Sequence, residues 1–188
     1  MILNEFQSIR LRELEDVPRV ELPPGFPDDS GNRLKGLVDM VTEYFSEDTV
    51  LMELGTGMGV STEVFALLCK HVHTADIWPK ASWKQSFEVM AKKYTNITPY
   101  HRDFNDCCRF FNSQSLDAVY IDGCHTYDRV LNDIKNWIPK IKPTGFICGH
   151  DYISRPRNGY GVIKAVGDLL GAPDKVYEDT SWIIKLAA

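Results

Sequence analysis

The chain has 188 residues, 44% of them hydrophobic, and a formal net charge of −5. A single domain of ~100–200 residues with one apolar core is the expectation, which excludes a disordered chain. Acidity without a basic stripe disfavours nucleic acid or an anionic membrane as partner.

The first twenty residues, MILNEFQSIRLRELEDVPRV, carry neither the apolar core nor the cleavage site of a signal peptide, and no stretch reaches the ~18 apolar residues needed to span a bilayer. Five cysteines without a CxxC pair read as thiols of a reducing compartment, so a cytoplasmic location is expected.

In chain order, a helical pattern runs from about Leu3 to Leu14, and the proline-rich VPRVELPPGFPDDSGN reads as an extended arm. Residues 1–31 are therefore separated from a domain over 32–188. The arm is a candidate cover for a substrate or a contact between copies in a homo-oligomer. Ser30 or Asn32 is placed to cap a helix carrying Leu34, Leu37, Val38, Val41, Tyr44 and Phe45.

From Thr49, strands and helices alternate. TVLMEL, VHTADI, NITPYH, LDAVYI and GFICGH read as strands. STEVFALLCKH, SWKQSFEVMAKKY, a short piece around FNDCCRFF, TYDRVLNDIKNWIPKI and GVIKAVGDLL read as helices. DKVYED and SWIIKLA close the chain as two strands meeting near Thr180, which makes them antiparallel. The class is α/β, a mostly parallel sheet with helices on both faces. Ligands of such sheets bind beyond the carboxyl ends of the strands, here past Leu54, Ala75, Tyr100, Ile121 and Cys148.

Gly55-Thr56-Gly57-Met58-Gly59 follows the first strand, where glycine lets backbone approach a ligand or a neighbouring helix. A dinucleotide fingerprint needs glycine at Val60, and a phosphate loop needs a lysine that does not come until Lys70. Glu53, just before the turn, faces a pyrophosphate unfavourably and a cationic ligand favourably. Asp76 ends the second strand, where a carboxylate accepts from ribose hydroxyls. Asp103 follows the third strand, placed for an exocyclic adenine amine. Ribose, adenine and a positive charge without phosphate describe S-adenosylmethionine.

VLMELGTGMG, HTADI, HRDF and LDAVYIDGCH, in this order, resemble the successive motifs of class I S-adenosylmethionine-dependent methyltransferases over residues 49–186. The resemblance implies a Rossmann-like seven-stranded sheet of order 3-2-1-4-5-7-6 with strand 7 antiparallel. It also implies cofactor contacts from Glu53, Gly55, Thr56, Gly57, Gly59, Asp76, Ile77, Asp103, Phe104 and Asp122.

A second constellation brings Asp122 and His125 together with His150 and Asp151 from the next strand over. Two carboxylates and an imidazole suit a divalent cation. Oxygen ligands make magnesium the default, and a histidine leaves room for manganese, iron or zinc. This half of the chain is similar to the metal-dependent small-molecule O-methyltransferases that act on macrolide sugars. That likeness implies His125 as general base, Asp122 as a catalytic residue, and Asp122, His150 and Asp151 as metal ligands, although His150 stands where the family often has glutamate. An Asp/Asn-Pro-Pro-aromatic motif, which marks amino-directed nucleic-acid enzymes, is replaced by Ile121-Asp122-Gly123-Cys124.

A small hydroxylated acceptor is expected; Trp78 and Tyr152 are candidates to line its pocket, with Trp78 alternatively stacking near the adenine, and Arg155, Arg157 and Gly159-Tyr160-Gly161 read as a lid or as a solvated loop. The rival readings are an NAD-dependent oxidoreductase and a non-catalytic cofactor-binding subunit of the same fold.

Overall fold

The computed structural model describes residues 4–15, 34–153 and 161–187. The arm expected after the first helix, the capping residues Ser30 and Asn32, and Arg155, Arg157, Gly159 and Tyr160 lie outside these residues.

Seven strands form one sheet: β1 (Val50–Leu54), β2 (His71–Asp76), β3 (Ile97–His101), β4 (Leu116–Ile121), β5 (Ile141–Gly149), β6 (Lys175–Val176) and β7 (Trp182–Lys185). Their order is β3-β2-β1-β4-β5-β7-β6, as the resemblance implies. β1 through β5 pair in parallel, and β7 runs antiparallel to both β5 and β6. The central strands are near-continuous apolar runs because helices cover both of their faces. β6 is only two residues of the expected DKVYED, since Tyr177 to Ser181 form the turn.

One face of the sheet carries α2 (Lys35–Tyr44) and α3 (Val60–Leu68), and the other carries α6 (Tyr127–Trp137) and α7 (Gly161–Leu170), each over its own buried cluster. On α6, Val130, Ile134 and Trp137 recur at helical spacing and are fully buried. The N-terminus of α2 is capped from far along the chain: Asp179 Oδ2 accepts from the Leu37 amide at 2.7 Å.

The first helix, α1 (Glu5–Glu15), packs against α3. Leu11 is buried in the core shared with α3. Arg10 forks onto both oxygens of the buried Glu63, and Gln7 donates to the Leu67 carbonyl. Glu63 therefore sits inside α3 as a paired charge, which makes its burial tolerable.

Candidate active site

The β1–α3 turn answers what its glycines approach. All three have positive φ, from +53° to +105°, a region glycine enters without steric cost. A Cβ on Gly55 would strike the Asp122 carbonyl, and one on Gly59 would meet Met90 and Phe87 of α4 (Ala81–Ala91). Gly57 faces open space. Thus two of the three glycines allow close packing within the protein, and Gly57 leaves room for a ligand.

That room is a cavity of about 450 Å³ beyond the carboxyl ends of the strands. Of the expected cofactor contacts, Gly55, Thr56, Gly57, Asp76, Ile77, Asp103, Phe104 and Asp122 line it. Gly59 does not, because it packs on α4. Glu53 does not either. It is fully buried, and its oxygens accept from the hydroxyls of Ser61, Thr62 and Thr74. Burial pushes its carboxyl up to about 7 despite those bonds. Glu53 reaches the cavity through Ser61, which lines it.

Asp76 shapes the floor, accepting from the amides of Gly57 and Trp78. Trp78 is not a wall of the pocket. Its indole donates to the Gly57 carbonyl and its ring packs on Phe87, so it props the loop from behind. Trp83 takes the wall position instead, with Met58, Val60 and Pro79. Tyr152 packs towards Trp182, away from the cavity.

Asp103 caps α5 (Phe104–Cys107) through the Asn105 amide and pairs with Arg129 of α6 at 2.8 Å. The Arg129 guanidinium holds the Asp103 carboxyl below its usual range. Arg129 also lines the cavity, and no pattern read along α6 had singled it out.

At the cavity mouth the ends of β4 and β5 converge. His125 lies between two carboxylates, with Nδ1 3.0 Å from Asp151 Oδ2 and Nε2 3.5 Å from Asp122 Oδ1. Burial works against the charged imidazole, but Asp122 and Asp151 outweigh it and push His125 up to about 10. His150 Nδ1 stands farther out, 3.9 Å from Asp122 and 3.7 Å from Asp151, and is pushed up to about 9 by the same carboxylates against its burial. Burial favours the neutral form of Asp151, yet the two histidines hold its carboxyl well below the usual range.

Among the described residues, donor atoms of Asp122, His125 and Asp151 all lie within 4.8 Å of one another, a spacing that fits one cation. This grouping shares Asp122 and Asp151 with the expected ligand set of Asp122, His150 and Asp151, and His125 is the histidine nearest to both carboxylates. The β4–α6 loop folds His125 into the gap between the carboxylates, and His150 stands farther from both.

A methyltransferase-domain model matches residues 52–152, more than half of the chain. The chain belongs to the methyltransferase-domain family. The uncharacterized protein y4gI of Sinorhizobium fredii is 34% identical over 130 residues, 60% of this chain and 14% of y4gI, so the chain spans a small part of that relative. The fold is similar to the N-methyltransferase NodS of Bradyrhizobium japonicum, at 14% identity and TM-score 0.62 over 87% of this chain and 99% of NodS. It is also similar to a candidate caffeoyl-CoA O-methyltransferase of Staphylococcus aureus, at 16% identity and TM-score 0.61 over 98% and 93%.

S-adenosylmethionine is the cofactor this family assignment brings. Gly57 leaves an open approach, and Asp76, Asp103 and Arg129 are the charged side chains beside Asp122 in the cavity lining. Among the described residues no helix is long and apolar enough to cross a membrane.

Proposed function

We propose that this domain transfers the methyl group of S-adenosylmethionine to a hydroxyl oxygen of a small acceptor, with His125 as general base beside a divalent cation. One observation carries the reading. His125 Nδ1 is engaged by Asp151, while Nε2 is buried and without a hydrogen-bond partner. Asp122, which lines the cavity, is the carboxylate nearest to that nitrogen.

S-adenosylmethionine, when bound, supplies an electrophilic methyl group, so the protein's own part is to orient the acceptor and take its proton. Asp76 and Asp103 would hold ribose and adenine, and Ile77 and Phe104, which line the same cavity, would flank the base. Ser61, itself held by Glu53, would meet the amino-acid end. Asp151 accepts from Nδ1–H and fixes the tautomer, so Nε2 is the nitrogen that removes the proton.

With no further positive charge, the two carboxylates keep His125 protonated at neutral pH, and a protonated imidazole cannot act as a base. Asp122 and Asp151 would hold a divalent cation, which would supply that charge and polarise the acceptor hydroxyl. Magnesium suits the oxygen donors, and manganese, iron or zinc suit a set that includes an imidazole. The grouping of Asp122, His125 and Asp151 favours a second arrangement, in which His125 is the third ligand and His150 the base. A small acceptor, rather than nucleic acid, accords with the net charge of −5. The arm and a homo-oligomeric contact through it belong to this reading as expectations, as does a cytoplasmic location.

The test is turnover of S-adenosylmethionine with a panel of phenols, sugars and hydroxy acids, with magnesium, with manganese and with chelator. Methyl transfer to oxygen that chelator abolishes is the expected result. Turnover with an amine and indifference to chelator would overturn the reading.

A further inference from the structure

Asp133 is 1% exposed, and neither of its carboxylate oxygens has a hydrogen-bond partner. A buried carboxyl left in that state is costly. Arg129 lies four residues earlier on α6, the spacing at which helical side chains meet. The Arg129 guanidinium is instead turned outward to Asp103 Oδ2, at 2.8 Å, and both of these side chains are partly exposed. The other Asp103 oxygen, Oδ1, accepts the Asn105 amide. The carboxylate placed for an adenine amine is therefore occupied at both oxygens. Asn136 donates to Asn105 and ties α6 to α5, so the guanidinium can turn from one carboxylate to the other while the helices stay in place.

We propose that Arg129 exchanges partners when the cofactor binds, releasing Asp103 to the adenine amine and pairing with Asp133 one helical turn along α6. This rests on the methyltransferase reading above, in which Asp103 meets the adenine.

The exchange moves a proton. Burial pushes the Asp133 carboxyl up to about 7, against the pull of Arg129 and reinforced by Asp103. A guanidinium in direct contact ionises it, so binding at pH 7 releases about half a proton from this group. The charges acting on Asp133 are Arg129 on its own helix and Asp103 at the head of α5. Charged side chains on the neighbouring elements are engaged elsewhere: Lys164 with Asp168, Lys140 with the Phe111 carbonyl, Asp106 with Arg109, and Lys142 with Asp117. Asp128 and Lys135, also on α6, are exposed.

Calorimetry of S-adenosylhomocysteine binding in phosphate and in Tris at pH 7 counts the protons released. The wild type should release about half a proton more than Asp133→Asn, and Asp133→Glu should restore the release. Arg129→Gln should lose it as Asp133→Asn does. Affinity should rise severalfold from pH 6 to pH 8 in the wild type, beyond any rise in Asp133→Asn. Equal proton release in the wild type and in Asp133→Asn, with both proteins folded and binding, overturns the exchange and leaves the methyltransferase reading standing. Failure of the wild type to bind S-adenosylhomocysteine at all overturns both.

Discussion

Asp151 Oδ2 stands 3.0 Å from His125 Nδ1, and the Asp151 backbone is held at φ +56°. A non-glycine residue in the left-handed region costs roughly 1–2 kcal/mol. At the end of β5 that conformation sends the carboxylate across to the β4–α6 loop, where it meets the imidazole. The strain sits where the chemistry is placed.

If that pair orients a base, His125→Ala should lower turnover by ~10²–10⁴ and leave S-adenosylhomocysteine affinity nearly unchanged. His150→Ala should leave turnover and cation affinity nearly unchanged, whereas in the second arrangement it loses turnover and His125→Ala weakens cation binding. Measuring turnover and divalent-ion affinity for both variants decides between the two arrangements. Full turnover in His125→Ala would show that the imidazole is structural.

Asp122→Asn should bind magnesium or manganese much more weakly than the wild type, since it removes a carboxylate from the grouping of Asp122, His125 and Asp151. Titration calorimetry that finds equal uptake in both proteins assigns Asp122 another task.

S-adenosylhomocysteine at ~100-fold over its dissociation constant should stabilise the fold by roughly 2.7 kcal/mol, and NAD should leave it unchanged. Thermal unfolding with each ligand gives the comparison. A shift with NAD alone would contradict the assignment of the cavity.

The glycines should separate by what each approaches. Gly55→Ala drives a methyl group into the Asp122 backbone and should unfold or displace the β1–α3 turn. Gly57→Ala meets no atom and should cost ~1–2 kcal/mol of backbone strain. Its methyl group enters the cavity, so cofactor affinity should fall more than stability does. Denaturant midpoints and ligand affinities for the two variants test the ordering.

Stability should also carry a mark of Asp133. Its carboxyl is near 4 when unfolded and is raised to about 7 when folded. The native state therefore holds the proton more tightly. The stabilisation is fully present below pH ~4 and is lost as pH rises through ~7. Asp133→Asn should gain on the wild type by ~2–4 kcal/mol between pH 4 and pH 8. Denaturation at both pH values measures it, and parallel pH dependence in the two proteins would refute it.

Much of the frame is legible in the residues. β4 and α7 fall where LDAVYI and GVIKAVGDLL place them, because each apolar pattern is bounded by turn residues. The motifs past each strand end marked Asp76, Asp103, Asp122, His125 and Asp151, since a parallel sheet gathers its carboxyl ends at one edge. Glu53 does not line the cavity, although its place in the sequence points there. It ends a strand beside the glycines, but Thr74 of β2 and Ser61 and Thr62 of α3 surround it.

The sequence by itself determined the periodicities, the strand ends and the stock of ionisable groups there, because local pattern and chain order suffice for those. Tertiary structure decided which groups face the cavity and which face one another. Trp83 rather than Trp78 forms its wall, Arg129 enters it from α6, and His125 rather than His150 fills the gap between the carboxylates. Those outcomes depend on how loops and helices distant along the chain close over the sheet. A side chain's direction and its desolvation belong to that packing, and no run of neighbouring residues encodes them.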